Sequence, residues 1–190
     1  QLVLDNSEGE YICWVDGDSY VTPSFTENQV NFICTQPSVG IVEPIILSSS
    51  NKFVAKLEMY NWLLPTLNAL RNDKTPTLGM LGAITPVKVL KDVGGFSVNL
   101  RGAYEDIDLV LKIWSEGYKV AINQDAVIYH ANRESWQEVS KQMRWYGQTS
   151  PRESSFRVFR RTLNSFLTRV PALLSFAKYC NDPVAPFSLL

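Results

Sequence analysis

The sequence predicts an α/β layer fold in which a mainly parallel sheet is flanked by helices. The first observation behind this is "YICWV", Tyr11 to Val15, a continuous run of β-branched and aromatic residues between Gly9 and Gly17. Such a run reads as a strand buried on both faces, the habit of parallel sheets. The second is that strand-like and helix-like segments alternate along the chain. The third is size: 190 residues, 45% of them apolar, suffice for one domain with a real core.

Each element follows from local chemistry. Thr22 and Pro23 open a helix, since proline is tolerated at the first helical position, and Phe25, Val30, Phe32 and Ile33 supply its apolar positions before Pro37. "VGIVEPIIL" is a second strand, and Pro44 within it, lacking an N–H, predicts a place near a sheet edge or at a bulge. From Lys52 to Asn72 the residues Phe53, Leu57, Tyr60, Leu64 and Leu67 recur at helical spacing, with Pro65 expected to kink or split the helix. "TLGMLGAIT" is a third strand, after which Pro86 opens a short helix that stops at Gly94 and Gly95. A helix from Glu105 to Glu116 stops at Gly117. Two short strands, "YKVAI" and "AVIYH", come next, and "SWQE" at Ser135 to Glu138 has the form of a capping box opening a helix through Trp145. Residues 151–190 contain "RVFRR" and "LNSFLTRVPALLSFAKY", an amphipathic, basic helical tail that suits packing on the domain or lying on a membrane surface. The expected organisation is therefore one domain over 1–150 and a tail over 151–190.

Bulk properties exclude several classes. With 18 basic and 19 acidic side chains the formal charge is -1, so the charge balance points to neither a nucleic-acid footprint nor a strongly acidic partner. Cys13, Cys34 and Cys180 are widely spaced and form no C-x-x-C pair, which fits a reducing compartment. No apolar run approaches the roughly 18 to 20 residues that span a bilayer, and the start lacks the build of a secretory signal. A cytoplasmic location is expected. Because the chain opens without Met and with only a short polar lead into its first strand, it reads as a piece of something longer.

Two acidic constellations carry chemistry. In "DGD", Asp16 and Asp18 flank Gly17 behind the first strand, where open α/β sheets bind ligands. Two carboxylates at that spacing suit a hard divalent cation that neutralises a diphosphate; the same residues also make an ordinary polar turn. Asp16, Asp18 and Glu27 match positions 1, 3 and 12 of an EF-hand loop, but Val21 occupies the position needing glycine, and a strand precedes it. Downstream, Glu105, Asp106 and Asp108 crowd one helix start, which the helix dipole favours, although a carboxylate there also suits a general base. His130, the only histidine, ends a strand; alone it reads as structural, and beside a metal as a third ligand.

In order, "GEYICWVDGDSYVTPSF", "GAITPVKVLKDVGGF", "GAYEDIDLVLKIWSEGYKVAINQDAVIYH" and "RWYG" resemble the second half of the catalytic domain of family 2 glycosyltransferases, which have the GT-A fold. The resemblance runs from about Gly9 to Gly147. It implies a GT-A-like, inverting enzyme that transfers sugar from a nucleotide-diphosphate sugar donor to a saccharide or lipid-linked acceptor with Mg2+ or Mn2+, at the cytoplasmic face of a membrane touched through the tail. On this reading Asp16 faces the donor's ribose or the metal, Asp18 binds the metal, and Gly17 lies between them. Asp106 is the catalytic base with Glu105 beside it, Gly94, Gly95 and Phe96 line the acceptor loop, and His130 sits near metal and diphosphate. Arg144 and Trp145 correspond to the acceptor-side "RW" of the Q-x-x-R-W motif. Lys141 stands where that motif has Gln, and Gln142 is one residue late, so a processive polymer synthase is not expected. The family's nucleotide-binding first half has no counterpart, and the piece alone is expected to be inactive. A metal-dependent nucleotidyltransferase and a non-catalytic sugar-binding or scaffold domain are the rival classes. The acidic helix start after "GGF" counts against the first, and the intact Asp18, Asp106 and His130 against the second.

Overall fold

In the computed structural model the described residues are 2–71, 79–97 and 105–149. The expected tail, 151–190, lies outside them. Two compact units divide the chain, Gln1–Leu47 with Pro65–His130, and Ser48–Leu64 with Ala131–Leu190.

The first unit carries the sheet. Its elements begin with α1 (Leu2–Asp5), β1 (Tyr11–Cys13), β2 (Ser19–Val21), α2 (Phe25–Cys34) and β3 (Val39–Ser48), and continue with β4 (Ile84–Pro86), α4 (Val87–Asp92), α5 (Glu105–Ser115) and β5 (Lys119–His130). Strand order is β1-β4-β3-β5-β2. The helix-flanked α/β layering is as the sequence predicts. Strand direction differs: β1 with β4, β3 with β4, and β2 with β5 are all antiparallel. The start of β5 meets the start of β3, where the N–H of Lys119 donates to the Ser38 carbonyl. The sheet is thus mixed and not mainly parallel. An apolar run reports that both faces of a strand are covered, whichever way its neighbours run. Both faces are covered here. Ile12, Ile41 and Ala83 join Leu90 of α4 and Leu109 and Ile113 of α5 in one cluster, whereas Val42 and Ile84 pack with Ile33 of α2.

β3 is central, where Pro44 predicted an edge or a bulge. Its register with β4 consists of the single pair Val42↔Ile84, ahead of Pro44, so the missing N–H interrupts no bond to β4. β5 is one strand of 12 residues, not two short ones. The intervening "NQD" looks like a turn, but Asn123 is buried and its amide donates to the Asn28 carbonyl and to Gln29 Oε1. Satisfied from within the protein, these polar groups do not break the strand.

In the second unit lie the first part of α3 (Phe53–Arg71) and α6 (Trp136–Thr149). Pro65 does not split α3, which is assigned as one helix. The capping box forms as predicted: Glu138 N–H donates to Ser135 Oγ at 3.3 Å, and Ser135 N–H to Glu138 Oε2 at 3.1 Å. Arg133 closes an ion pair on Glu58 of α3 at 3.3 Å, and the side chains of Lys52 and Ser50 bond Glu134.

Candidate active site

The "DGD" residues form the turn between β1 and β2, closed by Ser19 N–H donating to the Asp16 carbonyl at 3.1 Å. Asp16, Gly17 and Asp18 are all exposed, and a side chain at Gly17 would meet no protein atom. The register explains what lies opposite. Ser19 pairs with His130 across the edge of the sheet, so Asp18, one residue earlier, reaches the imidazole, with Oδ2 3.5 Å from Nε2. Asp18 is 53% exposed and His130 13%. Stacked rings of Tyr20 and Tyr129, centroids 5.0 Å apart, hold the same strand pair. The hydroxyl of Ser19 is buried without a partner.

Among the described residues no group of three or more His, Cys, Asp or Glu side chains is gathered closely enough to hold a metal ion. Asp18 and His130 are brought together, and Asp16 does not complete a three-ligand set with them. One carboxylate and one imidazole would leave most positions of a divalent cation to water or diphosphate oxygens.

Gly94 and Gly95 end α4 in a Schellman arrangement. Their φ angles are 76° and 66°, and their N–H groups donate to the carbonyls of Lys91 and Leu90. Phe96 packs edge-on against Trp14, centroids 5.3 Å apart. This loop is tied to α5 by residues to which the sequence assigned only a dipole role or none. Ser97 Oγ donates to Asp108 Oδ2 at 2.6 Å, Lys112 Nζ pairs with Asp108 at 3.3 Å, and Lys112 also donates to the Gly95 carbonyl at 3.1 Å. The Ser97 hydroxyl, with Lys112 behind it, holds the Asp108 carboxyl below its ordinary value. An Asp–Lys pair at i, i+4 was the available signal.

Glu105 is exposed in the first turn of α5, and Asp106 is partly buried. Asp106 Oδ1 accepts the N–H of Ile107 at 2.7 Å. Its Oδ2 lies over Gly79, where a β-carbon would come within 2.8 Å, so the absence of a side chain there makes room for the carboxylate. Sequence reasoning missed Glu43, hidden in the apolar run of β3. It is 1% exposed, and burial, reinforced by the charge of Asp106, pushes its carboxyl well up from the usual range.

In the second unit a cavity of about 590 Å³ is lined by Asn132, Arg133, Glu138, Lys141, Gln142 and Trp145. Asn132 Oδ1 and Gln142 Oε1 are buried without partners, and Trp145 is 45% exposed. Gln142, the residue out of step with the Q-x-x-R-W spacing, is therefore on the cavity wall together with Trp145. Arg144 is exposed and outside that lining.

Comparison with known proteins adds the following. The model of the family described as glycosyl transferase family group 2 matches residues 11–187. The chain is similar to the mannosyltransferase PcManGT from Pyrobaculum calidifontis, solved in complex with GDP-Man and Mn2+: identity is 21%, TM-score 0.51, and the match covers 75% of this chain and 38% of that one. It is also similar to GalNAc-T7, solved with UDP, GalNAc and Mn2+, at 14% identity and TM-score 0.50 over 70% of this chain and 29% of that one. At these identities the likeness is one of fold, and the chain spans well under half the length of either protein. No curated protein matches it.

Proposed function

The chain belongs to glycosyl transferase family group 2, and from that membership we propose that it carries part of a catalytic domain that moves a sugar from a nucleotide-diphosphate donor to an acceptor hydroxyl, with inversion. The observation that supports this best is the contact of Asp18 with His130 at 3.5 Å, made between an exposed turn and the far end of β5. In this reading Asp18 and His130, with Asp16 on the donor side, hold Mg2+ or Mn2+. A cation bound there offsets the charge on the departing nucleotide diphosphate.

The remaining roles fall to the chain itself. Asp106 takes the proton of the acceptor hydroxyl as that oxygen attacks the anomeric carbon, and the bond from that carbon to the diphosphate oxygen breaks in the same displacement. A single displacement inverts the anomeric centre. Glu105 flanks the base. Gly94, Gly95 and Phe96, tied down through Ser97, Asp108 and Lys112, shape the acceptor side. Trp145 offers an aromatic face, and Arg144 a cation near it, to a saccharide in or beside the second unit's cavity. Among the described residues no helix is long and apolar enough to cross a membrane; a lipid-linked acceptor and peripheral membrane contact through residues 151–190 belong to the same proposal, as does the division at residue 150.

The test is a screen of the full-length protein against nucleotide sugars, with and without Mn2+, for release of nucleotide diphosphate, with NMR of the product for anomeric configuration. Metal-dependent release with an inverted product is expected. A retained configuration would sink the single-displacement mechanism, and formation of nucleoside triphosphate and sugar 1-phosphate when pyrophosphate is added to the nucleotide sugar would favour nucleotidyl transfer.

A further inference from the structure

Glu43 is a carboxyl group placed where a charge is costly. Its Oε1 is buried without a hydrogen-bond partner, and no cation pairs with it among the described residues. Strand register shows which way it faces. Ile41 and Ala83 belong to the cluster built on Leu109 and Ile113 of α5, while Val42 and Ile84 belong to the opposite one. Alternation along β3 therefore puts Glu43 on the α5 side. On α5, Asp106 precedes Leu109 and Val110 by three and four residues and so shares their inward face. Among the described residues, Asp106 is the charged group that acts on Glu43; on the neighbouring strand, Thr85 of β4 and Ala83 just before it face the same side and carry no titratable group.

We propose that Glu43 is a positioning residue for Asp106, a neutral carboxylic acid behind the carboxylate, so that the pair carries one negative charge and that charge stays on Asp106. This rests on the reading of Asp106 as the base. Two carboxyls in a poorly solvated site do not both ionise readily, and the first proton leaves the better solvated one. Asp106 is partly exposed and Glu43 is not. A neutral Glu43 leaves Asp106 ionised and able to take the acceptor's proton. An ionised Glu43 would drive a second, unpaired charge into the core.

The full-length protein tests this through four chains: wild type, Glu43→Gln, Asp106→Asn and the double variant. Thermal unfolding is followed from pH 4 to 9 and sugar transfer wherever the protein is folded. Wild type is expected to lose stability as pH rises through the Glu43 titration, and Glu43→Gln to lack that slope. Asp106→Asn is expected to move the transition to lower pH, because the Asp106 charge adds to the effect of burial. Parallel pH–stability curves for wild type and Glu43→Gln, or a Glu43 transition that ignores Asp106→Asn, would overturn the proposal. If Glu43→Gln does not fold, the infrared carbonyl band of a protonated acid in wild type at neutral pH, displaced in Asp106→Asn, carries the same decision; its absence overturns the pairing. A wild type that transfers no sugar would overturn the base reading and with it the positioning role, while the titration would still show whether the two carboxyls are paired.

Discussion

Asp106 and Asp108 are two residues apart on α5 and are expected to fail in different ways. Asp106 lies over Gly79 and accepts its hydrogen bond from its own helix start, so Asp106→Asn keeps the shape and removes the base. Turnover of the full-length enzyme should fall by at least about a hundredfold, with donor and metal affinity near wild type. Asp108 is bonded to Ser97 and Lys112, so Asp108→Ala releases the loop after α4. Its expected effect is an acceptor KM raised about tenfold, the worth of one charge-assisted hydrogen bond, with kcat little changed. Steady-state kinetics with varied acceptor separates the two, and a collapse of kcat in Asp108→Ala would contradict this assignment. At this scale the sequence showed which side chains are acidic and where they cluster. It did not show that Ser97, after a glycine pair, is the partner of Asp108, because that bond depends on how the loop folds back.

Elements announced themselves where their signals are local and disappeared where they are not. The capping box at Ser135 was legible because both of its bonds lie within four residues of sequence. Ser135→Ala should cost about 1 kcal/mol, measurable by chemical denaturation, and a loss within error would mean that solvent replaces the cap. β5 was misread as two strands because the satisfaction of Asn123 comes from Asn28 and Gln29, nearly a hundred residues upstream. Asn123→Leu therefore strands buried polar partners and should cost about 1 to 3 kcal/mol, despite improving the apolar pattern. A neutral or stabilising result would show that the strand tolerates an apolar bridge there. The edge position inferred for β3 from Pro44 failed for a related reason: proline forbids one hydrogen bond, and the sequence does not say whether a neighbour is present to receive it.

For the whole molecule, two titrating groups pull stability in opposite directions. The Asp108 carboxyl is held below its ordinary 3.8, so its contribution is present above that pH and is lost as pH falls through the lowered folded value. The Glu43 carboxyl is held above its ordinary 4.5, so its contribution is full below that pH and is lost as pH rises through the raised folded value. In a series of melting curves Asp108→Asn should flatten the fall in stability below pH 3.8 and Glu43→Gln the fall above pH 4.5; both variants altering the same limb would contradict the two signs. The layered α/β architecture was legible from strand and helix alternation, and strand direction was not, because covered faces look alike in either sense. The pairing of β2 with the end of β5 has a practical consequence. It seats the sole imidazole of the 190 residues beside Asp18, so a nitrogen-15 spectrum tuned to histidine side chains contains one spin system that needs no assignment. Under the proposed metal role, a diamagnetic cation should shift that resonance and a paramagnetic one should erase it, while a donor sugar lacking metal leaves it nearly still. One line in one spectrum then counts occupied sites directly, before any acceptor has been identified.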